Sequence, residues 1–168
     1  HASGVVTGVG AGSATITYTV TTNGCTANAQ ATVNVNALPV LAAIGGTMNA
    51  CIGSSTILTN TTSGGVWTTS NAAVATVNSI TGNVTGVTAG TATITYTYTN
   101  SNGCTSAVTT TVTINALPVV AAITGTTSVC EGATTALAST TPGGVWSTAN
   151  TATATINSTT GVVTGVAA

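Results

Sequence analysis

Threonine alternates with valine, isoleucine and tyrosine along most of this chain, which is the period of a β-strand with one covered face. In Thr93-Ile94-Thr95-Tyr96-Thr97-Tyr98 the alternation is strict, so Ile94, Tyr96 and Tyr98 share one face and the threonines the other. Ser101-Asn102-Gly103 reads as a hairpin turn. Ser106 to Asn115 is then the return strand, with Val108, Thr110, Val112 and Ile114 on one face. Gly64-Gly65 precedes a strand that carries Trp67, and Ser79 to Gly82 reads as a turn in which Gly82 supplies a permissive backbone. Leu117-Pro118 reads as an extended joint, because the residue before proline avoids the helical region. No stretch keeps a 3.6-residue period. The pattern predicts an all-β fold.

The pattern repeats. Asn23-Gly24-Cys25 returns as Asn102-Gly103-Cys104, Ala37-Leu38-Pro39-Val40 as Ala116-Leu117-Pro118-Val119, and Gly64-Gly65-Val66-Trp67 as Gly143-Gly144-Val145-Trp146. These pairs lie 79 residues apart; the segment Ala14 to Thr19 returns 78 residues later, so one residue is inserted in the turn before Cys104. A period near 79 is too long for a solenoid coil and suits one small β-sandwich domain. On this phase residues 1–38 are the C-terminal half of a repeat, 39–117 a complete repeat and 118–168 the N-terminal half of another. Ser158 to Val166 corresponds to His1 to Val9, so the segments at the two ends overlap.

Charge narrows the range of functions. The 168 residues include no Lys and no Arg, one acid (Glu131) and one His (His1), against roughly a quarter charged in an ordinary globular chain. Neutralising phosphates needs Lys or Arg, so nucleic acid is not an expected partner, nor is a polybasic contact with lipid headgroups. No apolar run approaches the roughly 20 residues of a spanning helix, so membrane insertion is not expected. No leader-type stretch stands at the start, and the precursor is expected to begin upstream. A surface so poor in charge suits a chain that packs into a solid assembly or carries glycans.

Catalysis and metal binding have no material to work with. A zinc site needs convergent His or thiolate ligands, a calcium site needs several acids, and acid–base catalysis needs two titratable groups. His1 stands alone, and the counterpart of Glu131 in the preceding repeat is Ile52. No enzyme, metal or cofactor is expected. The four cysteines, Cys25, Cys51, Cys104 and Cys130, fall into two equivalent classes and are expected to form disulfides in an oxidising, extracellular compartment. Asn60-Thr61-Thr62, Asn83-Val84-Thr85 and Asn157-Ser158-Thr159 match the N-glycosylation pattern, which arises easily in a chain this rich in Asn and Thr.

The residues of the repeat carry a resemblance. Val66-Trp67-Thr68-Thr69-Ser70-Asn71-Ala72-Ala73-Val74-Ala75-Thr76-Val77, followed by Gly82 to Thr95, resembles the bacterial immunoglobulin-like repeat of group 2. Ser147 to Val166 shows the same pattern, and Gly4 to Thr17 its later half. The Cys-x-Gly and Asn-Gly-Cys elements are similar to those of long surface proteins of the Bacteroidetes type. The resemblance implies tandem Ig-like β-sandwiches in a bacterial surface or secreted protein, with no shared catalytic residues. It places Trp67 and Trp146 in cores, on the third strand against the opposite sheet, and Tyr18 and Tyr96 in or beside cores. It also favours Cys51–Cys104 within the complete domain. Against that pairing, Ig topology puts the two turns at opposite ends of the sandwich, about 25 Å apart on strands of seven or eight residues, where a disulfide tolerates less than about 7 Å between Cα atoms. End-to-end stacking of domains offers another pairing, of the early-turn cysteine of one domain with the hairpin cysteine of the next.

The function expected from these readings is structural: the repeat unit of an extracellular filament or surface stalk whose partner is itself, neighbouring copies lying end to end. The alternative is an adhesin or carbohydrate-binding module with glycans as partners, which calls for an exposed aromatic cluster. Ice binding is disfavoured because a 79-residue sandwich does not set out flat ranks of threonine. An accessory domain of a secreted enzyme is a further alternative.

Overall fold

The computed structural model describes residues 3–167, and every named element among them is a β-strand. They form two compact units, His1–Ala116 and Leu117–Ala168.

The first unit opens with a hairpin of two long strands, β1 (Gly12–Thr22) and β2 (Cys25–Val35), paired with each other and with nothing else. Its turn is two residues, Asn23 and Gly24, both with positive φ (53° and 81°), the backbone that lets a two-residue turn follow the twist of its strands. The rest of the unit is a complete sandwich. Its strands are β3 (Gly45–Gly46), β4 (Asn49–Cys51), β5 (Ser55–Thr59), β6 (Val66–Thr69), β7 (Ala75–Val77), β8 (Asn83–Gly86), β9 (Gly90–Thr99) and β10 (Thr105–Asn115). One sheet has the order β3-β5-β8-β7 and the other β4-β10-β9-β6. The first strand of the fold is thus split between the sheets, and β4 runs parallel to the end of β10, with Cys51 beside Asn115. This is the immunoglobulin arrangement of two sheets joined by crossing connections.

Alternation decides what lies between the sheets. β9 sends Ala92, Ile94 and Tyr96 inward, and β10 sends Val112 and Ile114. They meet Leu58, Val84 and Ala75 from the opposite sheet, with Ile44 and Trp67 closing the cluster. The turn before β8 is fixed by Asn78, whose Oδ1 accepts the N–H groups of Ile80 and Thr81. Gly82 closes it at φ 70°, and a Cβ there would lie 2.5 Å from Leu58 O and 3.0 Å from the Trp67 indole. Gly82→Ala should therefore cost about 3 kcal/mol, since backbone strain and overpacking add; chemical denaturation of the 168-residue chain would measure it.

The second unit has the strands β11 (Thr124–Gly125), β12 (Thr134–Ala138), β13 (Ala154–Ile156) and β14 (Val162–Gly165), in one sheet ordered β11-β12-β14-β13. Its pairing copies the first sheet of the sandwich residue for residue: Thr135 faces Val163 as Thr56 faces Val84, and Ala154 faces Gly165 as Ala75 faces Gly86. Among the described residues this unit has no second sheet. Val145 to Thr148 match β6 in sequence but form no strand, because the strand that pairs with β6, β9, has no counterpart in this unit.

Candidate functional site

The sequence-predicted residues fall into three settings. In the complete sandwich Trp67 (5% exposed) and Tyr96 are buried against each other, ring centroids 4.5 Å apart and planes inclined at 47°. The Tyr96 hydroxyl accepts the Gly65 N–H at 2.8 Å and donates to the Thr62 carbonyl. With the Trp67 faces enclosed, no aromatic platform is open to a sugar ring here. Tyr96→Phe keeps the ring and removes both bonds, leaving Thr62 O and Gly65 N–H to find other partners; it should cost about 1–2 kcal/mol, read from the denaturation midpoint.

Tyr18 is the equivalent residue of β1 and was expected in or beside a core. It is 63% exposed, because β1 and β2 have no sheet packed over them. Ile16 and Val20, on the same face, are exposed too. Trp146 lies between these extremes. It is half-buried, its ring seated over Gly161 as Trp67 is over Gly82, and its N–H donates to Ser158 O at 3.0 Å. The sheet beneath it is present and the one that would cover it is not, so Leu137, Ala154 and Val163 are also only half-buried, whereas Leu58, Ala75 and Val84 are enclosed.

The four cysteines are free thiols, with Cys25, Cys51 and Cys130 exposed and Cys104 half-buried. The Cys51–Cys104 pairing does not fit this layout. Cys51 stands beside Asn115 at one end of β10, while Cys104 precedes Thr105 at the other. Eleven residue steps of extended strand separate the ends by about 35 Å. Cys104 instead meets the segment that follows the first hairpin: its Sγ lies 3.8 Å from Asn36 O, and Asn100 Nδ2 donates to Ala37 O at 3.2 Å.

Of the sequon asparagines, Asn60 gives its amide N–H to Ala42 O and accepts from Thr62 N, and Asn157 caps its turn through the N–H groups of Thr159 and Thr160. Glu131 is exposed in a bridge with Gly165, and His1 lies outside the described residues. Sequence reasoning missed Gly65 and Gly144. Each precedes the tryptophan strand by one residue, and Gly65 is small because the Tyr96 ring occupies the space where its side chain would be.

Residues 54–112 match the family model of the bacterial Ig-like domain, group 2. The chain carries a bacterial Ig-like domain of group 2. The match runs from β5 to β10 and so covers the sandwich that holds the buried Trp67–Tyr96 pair. No curated protein matches the chain. Group 2 bacterial Ig-like domains are structural and adhesive modules of bacterial surface and secreted proteins, not enzymes.

Proposed function

We propose that this Ig-like chain is a structural repeat unit of an extracellular bacterial filament or surface stalk, with neighbouring copies end to end as its partners. In that reading residues 1–38, 39–117 and 118–168 are half, whole and half of successive domains. One observation carries it: a complete sandwich stands between a hairpin that lacks its facing sheet and a sheet that lacks its hairpin. An isolated two-stranded hairpin is marginal in water, and an uncovered sheet face invites association. Length and resistance are what such a module offers, and with no Lys or Arg the chain has no site for trypsin.

Native material tests this on a nonreducing denaturing gel and by electron microscopy. A ladder or a very high mass, with extended fibres, is the expected result. A discrete band near 15.9 kDa with compact particles overturns it. The adhesin reading gains no support from the aromatic residues, since Trp67 is enclosed and Tyr18 stands alone on its face among aliphatic residues.

A further inference from the structure

Resting on that filament reading, we propose that the β1–β2 hairpin of one copy seats on the open β11–β14 face of another, completing a composite sandwich that a Cys104–Cys130 disulfide locks. The seat is an open hollow of about 530 Å³ lined by Val129, Cys130, Leu137, Ala154, Val163 and Gly165, among others. In the complete sandwich the same positions are closed by β9 and β10. A Cβ on Gly86 would lie 2.8 Å from Ile114 Cγ2, whereas one on its equivalent, Gly165, would meet only the Cys130–Glu131 backbone.

The occupant is a second copy because the hairpin repeats the residues that do the closing. Ala14, Ile16 and Tyr18 of β1 stand where β9 has Ala92, Ile94 and Tyr96, and Val33 and Val35 of β2 where β10 has Val112 and Ile114. The pairing registers agree: Gly12 faces Val35 as Gly90 faces Ile114, and Ile16 faces Ala31 as Ile94 faces Thr110. Tyr18 has a slot waiting. A Cβ on Gly65 would overlap the Tyr96 ring and come within 2.6 Å of Thr97 O, while one on Gly144 meets nothing within 4 Å. In the composite the Tyr18 ring lies against Trp146 and between Gly144 N–H and Thr141 O, the positions of Gly65 and Thr62. This is strand addition with matched side chains, which gives both hydrogen bonds and register.

The same docking brings two thiols together. In the complete sandwich Ile52 N donates to Asn115 O at 3.0 Å, with Cys51 adjacent. The loop of Cys130 has the same form, because Gly132 N donates to Gly165 O at 2.9 Å as Gly53 N does to Gly86 O. The hairpin equivalent of Asn115 is Asn36, so docking puts the arriving Asn36 carbonyl at Glu131 N–H, beside Cys130. Cys104 of the arriving copy already lies against that carbonyl. The repeat puts Cys25 and Cys51 in the same relation one joint earlier. Each bridge forms as two thiols give up two protons and two electrons to a disulfide-bearing oxidant, whose own S–S bond is reduced to two thiols.

The test uses the purified 168-residue chain, first reduced and then placed in a glutathione disulfide buffer. Light scattering should show mass rising with concentration in multiples of the single chain. Mass spectrometry of peptic fragments should find Cys104–Cys130 and Cys25–Cys51 links between isotopically distinct copies. Gly144→Ala leaves its own unit undisturbed yet blocks the Tyr18 slot, and should weaken association at least tenfold; in a reduced, dilute sample its folding transition should match the wild type, which excludes misfolding as the cause. A wild-type chain that stays monomeric at 100 μM, association indifferent to Gly144→Ala, or links between other cysteine pairs would each overturn the composite sandwich. Each of these leaves the filament reading standing if native material is still a high-mass fibre.

Discussion

Trp67→Ala should destabilise the complete sandwich by about 4 kcal/mol, the range for removing a buried tryptophan side chain. Trp67 is the largest side chain of the core, and it contacts three separate parts of the fold. Its ring packs on Tyr96 of β9. Its indole covers Gly82, whose missing side chain makes the space. Its backbone N–H ties β6 to the turn at Ser79. Alanine keeps the last of these and loses the other two, and the void opens beside a tyrosine whose hydroxyl holds Gly65 and Thr62. Small domains hold roughly 5–15 kcal/mol in total, and 4 kcal/mol lowers the midpoint of a domain this size by roughly 20 °C. Circular dichroism through a thermal transition would measure it. Trp146→Ala provides the internal comparison. With one face of its ring already in water, it should cost about half as much in the dispersed chain. Equal effects at the two positions would mean that Trp146 is enclosed as well.

The contrast between the two tryptophans shows what the sequence could reveal. Alternation identified the strands, the inward set Ile94, Tyr96, Val112 and Ile114, and the turn closed by Gly82, because each is a property of a few neighbouring residues. The Trp67–Tyr96 pairing was legible as two core aromatics on one repeat. Alternation gives a residue a face but not a cover. Tyr18 and Tyr96 have the same local sequence, Thr-Ile-Thr-Tyr-Thr, and differ in burial only because the β3-β5-β8-β7 sheet lies across one and not the other. Val145 to Thr148 fail to form a strand for a similar reason: an edge strand exists through its neighbour. The division of the first strand into β3 and β4 depends on which sheet each short piece reaches, and nothing local to Gly45 to Cys51 marks it. The separation of Cys51 from Cys104 was underestimated because β10 runs for 11 residues rather than seven or eight. Gly65 and Gly144 carried a signal in hindsight: a glycine pair beside a tryptophan, in a repeat whose next strands carry a tyrosine, marks a place where a ring must approach the backbone.

Ile94→Ala should cost about 4 kcal/mol, and its equivalent Ile16→Ala less than about 1 kcal/mol in the dispersed chain. Ile94 is fully enclosed at the middle of β9, paired with Thr69 of β6 on one side and Thr110 of β10 on the other. Its side chain belongs to the core cluster with Leu58 and Val84, which are themselves fully buried. Alanine removes three carbons. Transfer alone accounts for about 0.8 kcal/mol each, and the remainder is the cavity, which two hydrogen-bonded sheets cannot close by moving together. Chemical denaturation should show the loss as a shifted midpoint with an unchanged slope, the mark of a native-state effect. Ile16 makes the comparison informative. It has the same neighbours along the chain and is 40% exposed, so in the dispersed chain little is lost with it. Burial, and not residue type, sets the difference between the two sites. If hairpins seat on neighbouring copies, Ile16 acquires the cover that Ile94 has, and its substitution in assembled material should then approach the cost of the Ile94 change. An Ile16→Ala chain that associates as tightly as the wild type would place the hairpin outside the joint.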